Sequence, residues 1–368
     1  MSTSIWLRSE TKPLERRTAL TPKSAAALVL AGFDVNVERS SQSCFPSDAY
    51  AASGCHLVEE GSWPNAPSDA FIMGLKELPE STEPLSHRHI YFAHAFKEQA
   101  GWQDVLRRFT QGGGALFDLE FLVDETGRRV AAFGYWAGFA GAAVAVKTWC
   151  GQMLGRDPVV PVLGDYANRD ALIAELKAEL SQAEAAAGRR PNTIVIGALG
   201  RSGAGAVDLA EALDLETSKW DMAETAPGGP FDAVLQHDIF INCVLVFSSI
   251  PPFVTQDTVA EPGRRLRVVS DVSCDPFGDY NPVPLYSECT SFEQPARRLL
   301  DGDPPLDLVA IDHLPSMLPM ESSEDFSAQL LPTLLQLGAP DQGVWGRALQ
   351  IFRDKSRGAL SLTANQGD

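Results

Sequence analysis

The first third of the chain alternates short apolar runs with amphipathic stretches. Such alternation of strand-type and helix-type pieces predicts a parallel sheet that helices cover on both faces. One helix is predicted from Pro22, with Thr21 as its cap and Gly32 closing it, and another in GWQDVLRRFTQGG. The predicted strands, in chain order, are SIWLR, FDVNVE, AFIMGL, HIYFAHAF and GALFDLE.

A second series of the same kind begins at Thr193. A polar helix, ALIAELKAELSQAEAAAGRRP, precedes it and should end at Gly188. The tail, SEDFSAQLLPTLLQL and WGRALQIFRDKSRG, is expected to be helical and to pack back on the first series. The predicted strands of the second series are TIVIGA, TSKW, DIFINCVLV, LRVVSDV and DLVAIDHL.

One apolar run, from Val130 to Val146, lacks charge for 17 residues. That length is at the lower limit for a membrane span, and the run is rich in glycine and alanine. A helix buried between packed layers explains it better, so no membrane partner is expected.

Composition narrows the range of partners. Of 368 residues 45% are hydrophobic, and the net charge is −18. Nucleic acids and anionic membranes need concentrated lysine and arginine, so neither is expected, and an anionic substrate needs a local basic cluster. The six cysteines show neither pairing nor zinc spacing, and the N-terminus has no apolar signal region. We therefore expect a cytoplasmic protein without a metal site; its oligomeric state stays open, with a monomer among the alternatives.

The stretch TIVIGALGRSGAGAVDL runs from β-branched residues into Gly197, Gly200 and Gly203. Glycines after a strand let the backbone approach a pyrophosphate at the N-terminus of the next helix. The spacing departs from the usual G-x-G-x-x-G, so a structural turn is the alternative. Asp221 follows the next predicted strand, 18 residues beyond Gly203, where an acid accepts hydrogen bonds from a ribose and repels a 2′-phosphate. This context favours a dinucleotide site.

Three successive strands of the first series end in titratable side chains. Lys76 and Glu77 follow AFIMGL, His94 follows YFA and Glu120 follows FDL. Ligands of open parallel sheets bind beyond the carboxyl ends of the strands. A buried lysine can titrate near neutral pH, where histidine titrates unaided, and nearby carboxylates raise both pKa values again. The set predicts an acid–base site, although any one of these residues alone is more typical of a solvated strand end.

Two pairs of arginines lie near these strands, Arg16 with Arg17 and Arg128 with Arg129. The arginine fork binds a carboxylate bidentately. In a protein of net charge −18 the pairs indicate acidic groups on the substrate. Ordinary surface charge is the alternative.

Segments spread in order over nearly the whole chain resemble the saccharopine dehydrogenases, the NAD-dependent, lysine-forming enzymes of the α-aminoadipate pathway. FAHAFKEQAGWQ and RRVAAFGYWAGFAGAA are the most specific, whereas RSETKPLERRTALTP also suits alanine dehydrogenases and transhydrogenases. The resemblance implies oxidation of saccharopine by NAD, with water, to lysine, 2-oxoglutarate and NADH. It also implies an α/β fold of two Rossmann-like, doubly wound parallel-sheet domains with an interdomain cleft. Residues 1–133 and 318–368 would form the substrate domain, and residues 134–317 the NAD-binding domain.

The resemblance implies roles for individual residues. Lys76 matches the base that contacts the substrate and takes the proton from its secondary amine, and His94 matches the acid–base group for imine hydration. Glu77 and Glu120 match carboxylates that tune these two. Further substrate-contacting positions match Arg17, Gln99, Arg129 and Phe133. Positions around the dinucleotide match Arg128, Gly200, Arg201, Asp221, Thr225, Leu245, Ile311, Asp312, His313 and Leu314.

Two other functions stay open on the sequence. An amino acid dehydrogenase similar to alanine dehydrogenase would share the chemistry of the first domain but needs only one carboxylate clamp. An NAD-binding subunit or sensor would keep the cofactor fold alone, and the presence of both Lys76 and His94 disfavours it.

Overall fold

The chain folds into two compact units, each with its own sheet. The first unit comprises Met1–Ala132 with Ser322–Asp368, and the second comprises Phe133–Glu321. The computed structural model describes residues 2–97, 101–246, 248–276, 278 and 280–364.

The first unit is built on a six-stranded sheet. Its strands are β1 (Ser4–Leu7), β2 (Asp34–Glu38), β3 (His56–Val58), β4 (Phe71–Met73), β5 (Arg88–Tyr91) and β6 (Ala115–Asp118). Their order is β3-β2-β1-β4-β5-β6 and every pairing is parallel, which is a doubly wound arrangement and confirms the predicted fold class. The short β3 was not predicted, and β5 ends at Tyr91, well before the end of the apolar run.

Helices flank the strands in both units. Along the chain they are α1 (Pro22–Leu30), α2 (Ser47–Ala52), α3 (Trp102–Gly112), α4 (Gly134–Met153), α5 (Arg169–Ala187), α6 (Arg201–Ala212), α7 (Met222–Thr225), α8 (Asp232–Leu235), α9 (Gln256–Val259), α10 (Pro319–Leu334) and α11 (Gly343–Ala364). α1 begins as predicted, because the Thr21 side chain accepts a hydrogen bond from the Ser24 N–H at 3.4 Å. Gly188, in the left-handed region with a φ of 73°, ends α5.

The C-terminal tail packs on the first unit, as predicted. The ring of Trp345 in α11 lies 5.5 Å from that of Phe117 in β6. About two turns further along α11, Phe352 contacts Phe109 of α3 with 5.8 Å between ring centroids. These edge-on aromatic contacts bury large apolar surfaces and attach α11 to the sheet edge formed by β6.

The second unit also contains six strands. They are β7 (Thr193–Ile196), β8 (Thr217–Trp220), β9 (Ile239–Asn242), β10 (Val268–Asp271), β11 (Arg297–Leu300) and β12 (Leu306–Val309). Their order is β11-β12-β10-β9-β7-β8, and all pairings are parallel except that of β11 with β12. The five predicted strands are confirmed. β11 was not predicted, because its RRLL sequence carries charge on an edge strand instead of an apolar run.

The apolar run of the sequence forms α4, which is buried from Gly138 to Gly151. A Cβ atom at Gly138 would lie 1.7 Å from the carbonyl oxygen of Ser202 in α6. A Cβ at Gly205 of α6 would lie 1.9 Å from the carbonyl oxygen of Tyr135. The two helices therefore meet backbone to backbone, where only glycine fits. Among the described residues no helix is both long and apolar enough to cross a membrane.

His89 lies in the middle of β5 and is fully buried. Neither of its ring nitrogens has a hydrogen-bond partner within the described part of the chain. The rings of Trp63 and Phe109 pack edge-on against it at 5.1 and 5.3 Å. Burial, with a smaller contribution from the charge of Arg8, lowers the pKa of His89 to about 3. The folded protein therefore holds this imidazole neutral.

The substitution His89→Leu should make stability less sensitive to acid. The unfolded chain protonates His89 near pH 6.5, whereas the folded chain does so only near its lowered pKa of about 3, so acid favours unfolding between these values. As the pH falls through this window, the free energy of unfolding of the wild type should drop relative to that of the variant by about 1.4 kcal/mol per pH unit. Urea unfolding at several pH values measures this difference. Parallel pH dependence in the two proteins would contradict the assignment.

Candidate active site

Parallel pairing brings the carboxyl ends of β4, β5 and β6 to one edge of the first sheet. Lys76 and Glu77 follow β4, and His94 follows β5. Nε2 of His94 lies 3.5 Å from Oε1 of Glu77. Nζ of Lys12 lies 3.6 Å from Oε2 of the same carboxylate. The structure thus brings Glu77 and His94 together and adds Lys12, which the sequence did not single out.

Lys76 is half-buried, and burial is the main cause that lowers the pKa of its ammonium group. The positive charge of Arg17 lowers it further, while Glu15 and Glu77 act in the opposite direction. The net lowering increases the fraction of neutral amine at physiological pH. A neutral amine in this place can accept a proton.

Glu77 remains an anion beside His94. Burial disfavours its charged form, but its own backbone N–H and the charges of Lys12 and His94 together lower its pKa. A carboxylate 3.5 Å from an imidazole nitrogen favours one orientation of the ring. Glu77 can therefore orient His94 for proton transfer.

The backbone at His94 is strained. Its φ of 52° lies in the left-handed region, which residues other than glycine rarely adopt. Its ring stacks on that of Phe92 with 6.4 Å between centroids. Such strain is found preferentially at functional sites, so the backbone geometry agrees with a chemical use of this histidine.

Arg17 is buried and forms a two-pronged ion pair with Glu15. Nε and Nη2 of Arg17 donate to Oε1 and Oε2 of Glu15 at 2.8 and 2.7 Å. Burial alone would raise the pKa of Glu15, but the hydrogen bonds and charge of Arg17 hold it below its usual value. Arg16, the neighbour in sequence, is exposed. Glu15 was not predicted as part of the site, although it stands beside the arginines that were.

In the second pair of arginines, too, one side chain is ion-paired and the other is exposed. Arg129 is part-exposed, and its Nη1 donates to Oε2 of Glu120 at 2.9 Å. Arg128 is exposed in the turn that begins at Asp124. Phe133 immediately precedes α4. Gln99 lies outside the described residues.

The glycine turn of the second unit contains a close contact between α6 and the end of β7. Gly197 has a φ of 87°, which favours glycine, and Gly200 caps the N-terminus of α6. A Cβ at Gly203 would lie 2.0 Å from the carbonyl oxygen of Gly197. The first turn of α6 therefore packs directly on the end of β7 and presents its backbone N–H groups beyond the strand. This is the geometry that a pyrophosphate needs.

Asp221 lies at the carboxyl end of β8 and joins the glycine turn to α7. Its Oδ2 accepts the N–H of Leu199 and its Oδ1 accepts the N–H of Met222, both at 2.9 Å. Each carboxylate oxygen can accept a further hydrogen bond, so this cap leaves acceptor capacity for ribose hydroxyls. The side chain of Thr225 donates to the Asp221 carbonyl at 2.9 Å.

The segment after β12 divides the predicted cofactor residues into two groups. The side chains of Ile311 and Leu314 are buried in the core of the second unit. They can contact a dinucleotide only through their backbone. Asp312 is exposed, and the ring of His313 packs against that of Phe292 with 4.5 Å between centroids.

Large apolar side chains are exposed at the carboxyl ends of three neighbouring strands in the second sheet. Leu199 follows β7 and is 87% exposed, Met222 follows β8 and is 83% exposed, and Leu245 follows β9 and is 48% exposed. Exposed apolar residues grouped at one sheet edge often mark a ligand site. An adenine or ribose face could cover them.

Two of the six cysteines lie close together without forming a disulfide. Sγ of Cys274 lies 3.2 Å from Sγ of Cys289, although all six cysteines are free thiols. Spacing along the chain could not reveal this contact, because the loops after β10 and before β11 bring the two residues together.

The chain is similar to known proteins over nearly its whole length. Residues 6–140 match the family model for the N-terminal domain of alanine dehydrogenase/PNT. A saccharopine dehydrogenase [NAD(+), L-lysine-forming] from Neurospora crassa is 50% identical over 359 residues, covering 96% of both chains. Proteins of the same name from Emericella nidulans and Schizosaccharomyces pombe are 50% and 46% identical, over 96% and 95% of this chain and 97% of each relative. The chain belongs to the saccharopine dehydrogenase family.

Solved structures agree with this family at the level of the fold. An L-alanine dehydrogenase is 18% identical, with a TM-score of 0.62, and the match covers 96% of this chain and all of the other. A transhydrogenase from Sinorhizobium meliloti is 16% identical with the same TM-score, over 93% of this chain and 97% of the other. The two-sheet architecture is thus shared well beyond the saccharopine dehydrogenases.

The substitution Asp221→Asn should weaken the preference for NAD over NADP. Asparagine can still accept a backbone N–H, but it removes the negative charge that repels a 2′-phosphate. We expect the ratio of kcat/KM for NAD to that for NADP to fall about tenfold, which corresponds to about 1.4 kcal/mol. Steady-state kinetics with both cofactors measures the ratio.

A matched control is Asp214→Asn, which makes the same change of charge before the amino end of β8. It should leave the ratio unchanged. An unaltered ratio in Asp221→Asn, or an equal change in both variants, would contradict the placement of Asp221 beside the ribose.

Proposed function

We propose that this chain catalyses the NAD-dependent oxidative cleavage of saccharopine to lysine and 2-oxoglutarate. The observation that carries the proposal is the edge formed by β4 and β5, where a lysine of lowered pKa lies beside a carboxylate–histidine pair. The relatives named above, about half identical over nearly their full lengths, carry this activity in their names. The saccharopine, lysine and 2-oxoglutarate expected from the sequence are thus its substrate and products.

NAD fits the second unit of the chain. The close contact of Gly203 with Gly197 leaves room for a pyrophosphate. Asp221 offers hydrogen-bond acceptors to a ribose. The exposed side chains of Leu199 and Met222 offer an apolar surface for an adenine or ribose face. When bound, NAD supplies the acceptor for a hydride from the substrate carbon. We assign Gly200, Arg201, Asp221, Thr225, Leu245, Asp312 and His313 to its site through side chain or backbone, and Ile311 and Leu314 through backbone. The role of Arg128 at the dinucleotide stays a prediction from the sequence.

Lys76 acts as the base in the first step. As a neutral amine it takes the proton from the secondary ammonium of saccharopine, leaving the nitrogen lone pair free to support hydride departure from the adjacent carbon. With the hydride passed to bound NAD, this step would leave a protonated substrate imine and a protonated Lys76. The lowered pKa of Lys76 supports this role, since an ordinary lysine would be charged at neutral pH.

His94 serves the hydrolysis of the imine. It takes a proton from the water that adds to the imine carbon and returns that proton to the nitrogen. As the carbon–nitrogen bond then breaks and the ketone forms, it takes the proton of the new hydroxyl group. Glu77, 3.5 Å away, orients the ring and balances its positive charge between the first two transfers. We assign to Glu120 a tuning role at longer range, together with its partner Arg129.

The substrate carries three carboxylates and requires cationic partners. Arg17 and Arg129 are the candidates, with Phe133 and Gln99 as further contacts. Both arginines already bind a glutamate, so a substrate carboxylate has to share or replace that partner. We further propose that the protein acts in the cytoplasm, as its free cysteines suggest, and as a monomer.

The reaction can be tested in the reverse direction. The protein should consume NADH in the presence of lysine and 2-oxoglutarate, and saccharopine should accumulate. Pyruvate with ammonia is the control pair, because it serves an alanine dehydrogenase. Absorbance of NADH and mass spectrometry of the product measure the outcome, and turnover of the control pair alone would contradict the proposal.

The substitutions Lys76→Met and His94→Gln should each lower kcat about 10²–10⁴-fold while the KM for NAD changes little. Removal of the base should abolish the acidic limb of the pH profile, where protonation of Lys76 blocks the wild type. Each variant should lose one limb, and the double variant should be less impaired than the product of the single effects. The pH dependence of kcat and kcat/KM measures this. A variant with normal turnover and an unchanged profile would show its residue to be a bystander.

A further inference from the structure

Two buried charged residues hold the backbone of Lys76 from both sides. The carboxylate of Glu10 accepts the N–H of Leu75 at 2.6 Å and the N–H of Lys76 at 2.9 Å. On the other side, Nη2 of Arg8 donates to the carbonyl oxygen of Lys76. Arg8 and Glu10 also pair with each other, with 3.5 Å between Nη1 and Oε2. No pattern in the sequence pointed to either residue.

The surrounding fold makes room for this arrangement. The side chains of Arg8 and Glu10 are 1% and 8% exposed. A Cβ atom at Gly74 would lie 2.4 Å from Cζ of Arg8, so the guanidinium occupies space that only a glycine leaves open. The ring of Tyr91 lies on another side of it, 5.7 Å from Cζ. Arg8 is therefore confined to the position from which it reaches the Lys76 carbonyl.

Stability alone explains this pair poorly. Burying two charges costs desolvation that their mutual attraction rarely outweighs, and an apolar pair of similar size is often at least as stable. Here the charges are directed at three successive peptide groups just beyond the end of β4. What they add is a fixed backbone at a residue with a long, flexible side chain, and preorganisation of this kind raises reaction rates.

We infer that Glu10 and Arg8 are positioning residues for Lys76, fixing its backbone so that its amine approaches the substrate from one defined point. The inference rests on the proposed role of Lys76 as the base. Neither residue is expected to contact the substrate or exchange protons with it. Their effect should therefore appear only when the Lys76 amine is present.

The test is a double-mutant cycle between Glu10→Gln and Lys76→Met. Glutamine keeps the shape of Glu10 but offers one acceptor oxygen where two N–H groups need one each. In the wild-type background Glu10→Gln should lower kcat about tenfold or more and shift the acidic limb of the pH profile, with little change in the KM for NAD. In the Lys76→Met background the same substitution should change the residual kcat less than about twofold, because the two effects are coupled.

Gly74→Ala provides a second, chemically different variant. Its methyl group would displace Arg8 without removing any polar group, so it should reproduce the pattern of Glu10→Gln even if that variant folds poorly. Asp238→Asn is the structural control, because Asp238 is a buried carboxylate that binds Arg189, Arg265 and a backbone N–H in the second unit. Thermal unfolding should show lowered stability for the control with an unchanged pH profile.

The outcomes separate the inference from the function on which it rests. A tenfold loss confined to the background that contains Lys76 supports positioning. An equal loss in both backgrounds, or a normal kcat and pH profile in Glu10→Gln and Gly74→Ala, overturns it. Near-normal turnover of Lys76→Met by itself would instead overturn the proposed base, and the inference with it.

Discussion

Parallel strand pairing is the constraint that groups the proposed acid–base residues in the first unit and the proposed cofactor residues in the second. Because β4, β5 and β6 run in one direction, their carboxyl ends share an edge, and the residues after β4 and β5 meet there. The pairing of His94 with Glu77 needs no long-range recognition between loops; the sheet supplies it. The same rule in the second sheet places the glycine turn, Asp221 and Leu245 beyond neighbouring strands. The residues proposed for the chemistry thus lie at the ends of strands whose positions the core already determines.

Nearby charges affect the pKa values of the candidate site more than the net charge of −18 does. Interactions between exposed charges fade over a screening length of about 8 Å in physiological salt, so the many surface acids scarcely reach a half-buried group. Lys76 instead responds to its own burial and to Arg17, and Glu77 responds to Lys12 and His94. A protein with a strongly negative surface can therefore still bind an anionic substrate and hold the pKa of a lysine below its ordinary value.

Much of the fold and part of the site could be predicted from the sequence, for reasons that also explain the failures. Buried strands show as apolar runs, whereas β11 carries arginines on an edge and left no such signal. Lys76 and His94 were predicted because strand ends are readable in one dimension. Glu10 was not, because its role depends on a hydrogen bond to a residue 66 positions away. The contact of Cys274 with Cys289 likewise depends on how two loops meet.

The glycine contacts between α4 and α6 limit how the cofactor half can move. The backbones of α4 and α6 are in direct contact at Gly138 and Gly205. A helix that bent toward the other, or slid along it, would clash with a carbonyl oxygen of that other helix. The glycine turn immediately precedes α6. A shift of that turn must therefore move α6 and α4 together. At 1.5 Å per residue the 20 residues of α4 span about 30 Å. α4 is thus about as long as a small domain is wide, and its buried side chains lie in the same core cluster as those of α6.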